Sequence, residues 1–331
     1  APVNEATLTK RVDQYYVPVY EHLKTRLGAF RAKQAESNST DISPFFVGVS
    51  APQGCGKTTL VGLMQELFIE EGISCAVMSL DDFYLRKVDQ DSLADRNPSN
   101  PMLQYRGNAG SHDLDLVGDV MAQLQAASTT GTNPSFSSSA AAAAVCPVKE
   151  VRIPHFDKAL FGGRGDRADR ESWPAVNTPV DVVIFEGWML GFSAVSDDEA
   201  GDLEGTGYSP LNPPLFPSAV NMAGIADVNK LLAGPGYRNL HHAFDSWLVL
   251  QLDNVDHVYQ WRLEAEKAQN NGLSDDDVRD FVARFMPSYR AYLEKLYTHG
   301  PQRRDDVGPQ DVLAFPVGVD RCPIYDLSSR S

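Results

Sequence analysis

Apolar positions near the start of the chain recur at steps of three and four. Leu8, Val12, Tyr15, Tyr16, Val19, Leu23, Leu27 and Phe30 fall on one stripe, the period of an amphipathic helix, and predict a helix over residues 5–35. Pro18 lacks an amide hydrogen and should kink it. A polar stretch over residues 37–43 follows, and then the pattern changes. Phe45-Phe46-Val47-Gly48-Val49 is a short apolar run, which suits a strand buried on both faces. Residues 57–71 return to the helical period, with Leu60, Leu63, Met64, Leu67 and Phe68 on one side and Gly72 as a stop. Further apolar runs predict strands over residues 75–80, 180–185, 247–252 and 312–317. Strands that alternate with helices imply right-handed crossovers and a mostly parallel sheet. Ser274 can cap a later helix whose first turn holds Asp275, Asp276 and Asp277. Its stripe is Val278, Phe281, Val282, Phe285, Met286, Tyr289, Leu293 and Leu296, and Pro287 predicts a kink or two helices.

The expected organisation is a helical extension over residues 1–43 followed by one α/β domain over 44–331. Two segments read as insertions. Residues 128–146 are Ser, Thr, Gly and Ala of low complexity, expected to be disordered. Residues 196–218, rich in Gly, Pro, Asp and Glu, are expected to form a long surface loop.

Composition narrows the function. At 331 residues and 43% hydrophobic the chain can build a sizeable core, and no apolar run approaches the ~18–20 residues that span a bilayer, so a soluble protein is expected. A net charge of −15 argues against nucleic acid or an anionic membrane as a partner, because both need a basic footprint. An anionic substrate would therefore need a local cluster of Arg, Lys, backbone amides and metal. The four cysteines, Cys55, Cys75, Cys146 and Cys322, show no metal-ligand spacing, and the seven histidines form no HExxH. An intracellular, reduced protein without structural zinc is expected. The opening Ala1-Pro2-Val3, without Met or a hydrophobic signal segment, reads as a processed or trimmed start.

The strongest motif is Ala51-Pro-Gln53-Gly54-Cys55-Gly56-Lys57-Thr58-Thr59, between a predicted strand and a predicted helix. Phosphate oxygens need several converging N–H donors without side-chain obstruction, and that is the design of a P-loop. Gln53 to Thr59 would cradle the phosphates of ATP, helped by the dipole of the following helix. Lys57 would reach the β- and γ-phosphates, and Thr58 would ligate Mg²⁺. The usual pattern begins with Gly where this chain has Ala51. Cys55 lies beside a helix N-terminus, which lowers a thiol pKa. It is either a plain loop residue or the target of a redox regulator.

Ligands of open α/β sheets sit beyond the carboxyl ends of the strands. Asp81 and Asp82 follow the second strand and Glu186 the third. Asp81 is the candidate general base, and Asp82 or Glu186 would hold Mg²⁺; each could instead cap a helix or turn. Arg106 and the Gly-rich stretch with Arg164 and Arg167 are candidate anchors for a small carboxylate, since a guanidinium binds one bidentately. The alternative is a set of solvated turns held by salt bridges.

An Asp in an Asp-x-Phe motif after the second strand resembles the uridine kinase, pantothenate kinase and phosphoribulokinase group. The resemblance sharpens over S-A-P-Q-G-C-G-K-T-T-L-V, D-D-F-Y-L, Y-R-G-N-A-G-S-H-D, G-R-G-D-R-A-D, F-E-G-W-M-L-G-F and W-R-L-E-A-E. In that order these segments are similar to plant-type D-glycerate 3-kinase, over roughly residues 44–320. The resemblance implies a three-layer P-loop NTPase fold with a helical lid. It implies transfer of the ATP γ-phosphoryl to the 3-hydroxyl of D-glycerate, and photorespiratory work in the chloroplast stroma, with the cytoplasm as the alternative. The same segments add Tyr84, His112 and Asp113 to Asp81, Arg106, Arg164 and Arg167 as candidate substrate-binding residues. In this group a lid helix brings an Arg to the transferring phosphoryl. Val255, Val258, Trp261 and Ala265 make the buried stripe of the corresponding helix, and Arg262 falls off it. Arg262 either serves as that catalytic arginine or pairs with Glu266 one turn on. Rival readings are a kinase for a nucleoside, pantothenate or a sugar phosphate, and an ATP-binding switch without small-molecule turnover.

Overall fold

In a computed structural model, which describes residues 5–36, 43–129, 150–206, 220–269, 274–325 and 327, the predicted apolar runs assemble into one sheet. Its strands are β1 (Phe45–Ser50), β2 (Cys75–Ser79), β7 (Val182–Gly187), β8 (Ser246–Leu252) and β9 (Val312–Val317), in the order β2-β7-β1-β8-β9. Every neighbouring pair is parallel. Every residue of β1 is buried, as expected of the central strand of a sheet covered on both sides. Four shorter strands lie outside it. β3 (Glu150–Arg152) pairs with β6 (Ala175–Asn177), and β4 (Phe156–Asp157) with β5 (Asp166–Arg167), both antiparallel. The apolar pattern predicts none of these four, because ladders of two or three residues carry no measurable period.

The helices are α1 (Glu5–Arg11), α2 (Val17–Glu36), α3 (Lys57–Glu70), α4 (Lys87–Arg96), α5 (Leu114–Thr129), α6 (Asp197–Thr206), α7 (Ile225–Leu232), α8 (Pro235–His241), α9 (His257–Gln269), α10 (Asp275–Ala283) and α11 (Met286–His299). Pro18 leaves its mark one turn early. Between α1 and α2 the chain makes a π-turn over Val12–Tyr16, in which the Val17 amide reaches back to the carbonyl of Val12. A π-turn is one of the recognised ways to absorb a missing hydrogen bond. Ser274 forms the expected capping box with Asp277, and Pro287 splits the next pattern into α10 and α11. Residues 197–206, expected in a surface loop, form α6 instead. Asp197, Asp198 and Glu199 favour the positive end of its dipole, and Ala200 and Leu203 are buried one turn apart. Of the other expected insertion, residues 128 and 129 end α5; residues 130–146, with Cys146, and 207–218 lie outside the described residues. No helix among the described residues is long and apolar enough to cross a membrane.

The first helices clamp onto the sheet through aromatic contacts. Tyr15 packs edge-on to Phe315 of β9 at 5.5 Å, Tyr20 to Phe68 of α3 at 5.0 Å, and Phe30 tilts against Phe45 of β1 at 5.3 Å. One polar knot ties three elements at the opposite end from the P-loop. The Asp181 carboxylate, 6% exposed, accepts from Arg31 of α2 at 2.7 Å. It also accepts from the Ser74 amide at 2.9 Å and the Ser74 hydroxyl at 2.7 Å. Removing a buried carboxylate leaves these donors without it. Asp181→Ala should therefore cost about 3 kcal/mol of stability, read as a lowered denaturant midpoint at unchanged m. A loss below about 1 kcal/mol would show that the knot behaves like a surface ion pair.

Candidate active site

Register decides where the chemistry can stand. Val49 of β1 and Ser79 of β2 are both opposite Glu186 of β7, so the three strands end level. The loop after β1, the turn after β2 and the end of β7 therefore meet at one edge. In the loop, Gly54 and Gly56 have φ of 82° and 94°, a region that strains side chains. A Cβ on Gly54 would come within 2.6 Å of Cβ of Trp261 in α9, so α9 lies directly on the loop. Ala51 is buried, has no positive φ, and donates its amide to the Gly187 carbonyl at 3.3 Å. The missing first glycine thus costs the loop nothing. The Gln53 amide donates to the Tyr289 hydroxyl at 3.0 Å. Thr58 and Thr59 open α3 with exposed side chains.

Lys57 Nζ lies 3.6 Å from Glu186, with side chains 15% and 13% exposed. Burial alone would lower the Lys57 pKa, but Glu186, Cys55 and Asp81 raise it above the ordinary lysine value, so it stays a cation. The surroundings of Cys55 favour the plain loop residue of its two readings. It is buried, and burial pushes its pKa up to about 11 despite Lys57. Such a thiol is a poor nucleophile and offers a redox regulator little purchase.

Asp81 and Asp82 separate. Both lie in a 3₁₀ turn, Leu80–Phe83, started by Ser79, whose hydroxyl accepts from the Asp81 amide at 3.3 Å. Asp81 faces the loop. One of its oxygens accepts from the Tyr84 hydroxyl at 2.8 Å and the other from Lys158 at 2.6 Å. Burial would raise its pKa, but Lys158, Lys57 and the Tyr84 hydroxyl outweigh it and hold Asp81 down at about 2. Asp82 instead accepts from the Phe156 amide at 3.1 Å and stands 3.6 Å from His155. Its expected role as a metal ligand does not fit, since its carboxylate serves to dock β4. The donors that suit Mg²⁺ beside the phosphate cradle are the Thr58 hydroxyl and Glu186, both hard oxygens. No group of three or more His, Cys, Asp or Glu side chains that could hold a metal forms among the described residues.

The expected substrate residues sort into two kinds. Arg106 and Tyr84 border Asp81. The Arg106 guanidinium covers the Phe156 ring at 5.3 Å and donates to the carbonyls of Gly163, at 2.9 Å, and Arg164. Burial lowers its pKa while Tyr84 and Asp81 raise it. Tyr84 stacks on His112 at 4.8 Å. His112 meets the Tyr237 hydroxyl through Nδ1 at 2.8 Å, and burial lowers its pKa to about 4, so the ring is neutral. Its Nε2 is buried and has no partner among the described residues.

The others brace these. Arg167 donates to Asp113 at 2.8 Å and to the Tyr84 carbonyl at 3.0 Å, and Asp113 accepts from the Leu116 amide at 3.1 Å, capping α5. Arg164 pairs with Asp91 at 3.2 Å and stacks on Tyr105 at 4.8 Å. Asp113, Arg164 and Arg167 thus have structural partners in this state, the arrangement expected of turns held by salt bridges. Arg262 takes the second of its two expected arrangements. It pairs with Glu266, which is buried, and lies over the Phe281 ring at 4.6 Å. Ala265 is exposed and Glu266 takes its place on the inner face of α9.

Two contacts of the site escaped the sequence reading. Lys158 reaches Asp81 only because the β4–β5 hairpin folds across it. Arg321, at φ 61°, donates to the Gly54 carbonyl at 2.7 Å and to Glu264 at 2.8 Å, and lies 5.3 Å from the Trp261 ring centre. A contact between residues so far apart in the chain leaves no local signal.

No protein-family model matches the chain. It is 36% identical to the chloroplastic D-glycerate 3-kinase of Arabidopsis thaliana over 97% of its own length, and spans 63% of that protein. It is 34% identical to the uncharacterized kinase mug58 of Schizosaccharomyces pombe, covering 76% of this chain and 82% of that one. The solved structure of D-glycerate 3-kinase from Cryptococcus neoformans superposes with a TM-score of 0.74 at 29% identity, covering 94% of this chain and 97% of the other. Relatedness of this extent makes the chain a member of the family of P-loop kinases to which these proteins belong.

Proposed function

We propose that this protein transfers the γ-phosphoryl group of ATP to the 3-hydroxyl of D-glycerate, giving 3-phosphoglycerate and ADP. The observation that carries the reading is the Asp81 carboxylate. It stands level with the P-loop lysine and beside Arg106 and Lys158, a cationic cluster in a chain of net charge −15. A nucleotide switch has no need of a proton acceptor flanked by carboxylate-binding cations.

In this reading the acceptor's O–H bond breaks as its oxygen bonds to the γ-phosphorus, and Asp81 takes the proton. The bond from that phosphorus to the β–γ bridging oxygen breaks, and its electron pair leaves with ADP. Lys57 and the amides of Gly54 to Thr59 neutralise charge as it moves to the bridge. Thr58 and Glu186 would hold Mg²⁺, which supplies further charge neutralisation at the phosphates. Arg106 fixes the acceptor carboxylate. Tyr84 orients Asp81 through its hydroxyl, with His112 stacked behind it. α9, already seated on Gly54, excludes water and leaves Arg262 to exchange Glu266 for phosphate. Photorespiratory work in the chloroplast stroma, with the cytoplasm as the alternative, extends the same reading.

An acceptor-dependent ADP-release assay against a panel of hydroxylated metabolites tests the reading. Release that requires D-glycerate is expected. Release with only a nucleoside, pantothenate or a sugar phosphate moves the acceptor, and release without any acceptor favours the switch. Asp81→Asn keeps the shape and removes the base, so kcat should fall by about 10²-fold or more with the KM for ATP little changed. An equal loss of ATP affinity would make Asp81 a structural residue. Arg262→Ala should lower kcat by about 10³-fold and spare ATP binding. Near-normal kcat would leave Arg262 as the partner of Glu266 and nothing more.

A further inference from the structure

The pair between Lys158 and Asp81 looks wasteful for an enzyme. It engages the proposed base, and it is open to solvent, with Lys158 57% and Asp81 31% exposed. An ion pair this exposed adds little to stability, and the hairpin that delivers Lys158 is secured without it. The Phe156 amide is bound to Asp82, and the Lys87 amide donates to Asp166 at 2.9 Å. Inside the turn, the Ala159 amide donates to Asp157 at 2.8 Å and the Gly165 amide to the Leu160 carbonyl at 2.8 Å. The turn therefore holds an ammonium over Asp81 that the fold does not require.

We propose that Lys158 is a specificity-determining residue that changes partner: the acceptor's carboxylate draws its ammonium away from Asp81, and the exchange exposes the Asp81 oxygen to the acceptor's hydroxyl. The inference rests on the proposed glycerate kinase reading and adds to it a reason for rejecting uncharged acceptors. Exchange of one carboxylate for another at the same ammonium is close to balanced. A neutral alcohol or water has no anion to offer and leaves Asp81 paired. The two cations beside Asp81 suit different halves of this task. Arg106 is fixed, with one nitrogen on two backbone carbonyls and its plane on Phe156. A lysine is a compact charge on a flexible stem with three rotatable donors, which suits a group that must move between two carboxylates.

The test compares wild type, Lys158→Gln and Lys158→Arg by steady-state ADP release from the full chain with D-glycerate, with glycerol and with no acceptor. In Lys158→Gln the KM for D-glycerate should rise by about tenfold or more, the loss of one hydrogen bond to a charged group. The KM for ATP should stay within about twofold. The preference for D-glycerate over glycerol in kcat/KM should fall by a similar factor, and acceptor-free hydrolysis of ATP should rise. Lys158→Arg should recover part of the preference. An unchanged preference in Lys158→Gln, or a fall in kcat equal for both acceptors, overturns the assignment. A wild type that turns over no D-glycerate overturns the functional reading itself, a result distinct from a wild type that uses D-glycerate beside an unaffected Lys158→Gln.

Discussion

Three parallel strands that end level are the constraint from which the rest of the site follows. Because Val49 and Ser79 are both in register with Glu186, whatever the chain places just beyond β1, β2 and β7 must share one edge. A slip of one residue in either pairing would turn every side chain of a strand to the opposite face. Both faces are packed here, so such a slip would break the core as well as the site. The apolar runs that bury the sheet are therefore also what hold Lys57, Asp81 and Glu186 together.

Electrostatics at that edge works against the background of an acidic chain. Most arginines and lysines with described partners are bound to carboxylates or backbone carbonyls, as Arg164 is to Asp91 and Arg304 to Asp245. Cations with another role stand out by geometry. Lys57 remains charged although it is largely buried, because Glu186 and Asp81 face it. Asp81 remains charged because Lys158 and Lys57 face it. Each group sustains the other's ionisation, and a triphosphate or an acid arriving at the edge meets charges already in place.

The braces around Tyr84 show how much of the site is support. Arg167, Asp113, His112 and Tyr237 touch Tyr84 or one another, and Tyr84 in turn holds Asp81. The motif Y-R-G-N-A-G-S-H-D thus builds the wall behind the base. Of that motif and its Gly-rich neighbour, only Arg106 among the sequence-identified arginines keeps company with Asp81 itself.

The sequence alone determined the elements of the main sheet, the P-loop between a strand and a helix, and the placement of Asp81 and Glu186 after strands. Those features are local: a burial period, two glycines before a lysine, an acid at the end of an apolar run. It chose Asp81 as the base but could not see that Asp82 turns away from the site, because one residue of rotation in a 3₁₀ turn decides which carboxylate meets Lys57 and which meets the Phe156 amide. It could not bring Lys158 or Arg321 to the P-loop edge, because a two-residue ladder and a turn after the last strand carry them there. It left Cys55 open between a plain loop residue and a redox target, because a thiol's reactivity depends on burial, and it misplaced Ala265, whose place on α9 is taken by Glu266. These are properties of distance and desolvation, and both exist only once the chain has folded.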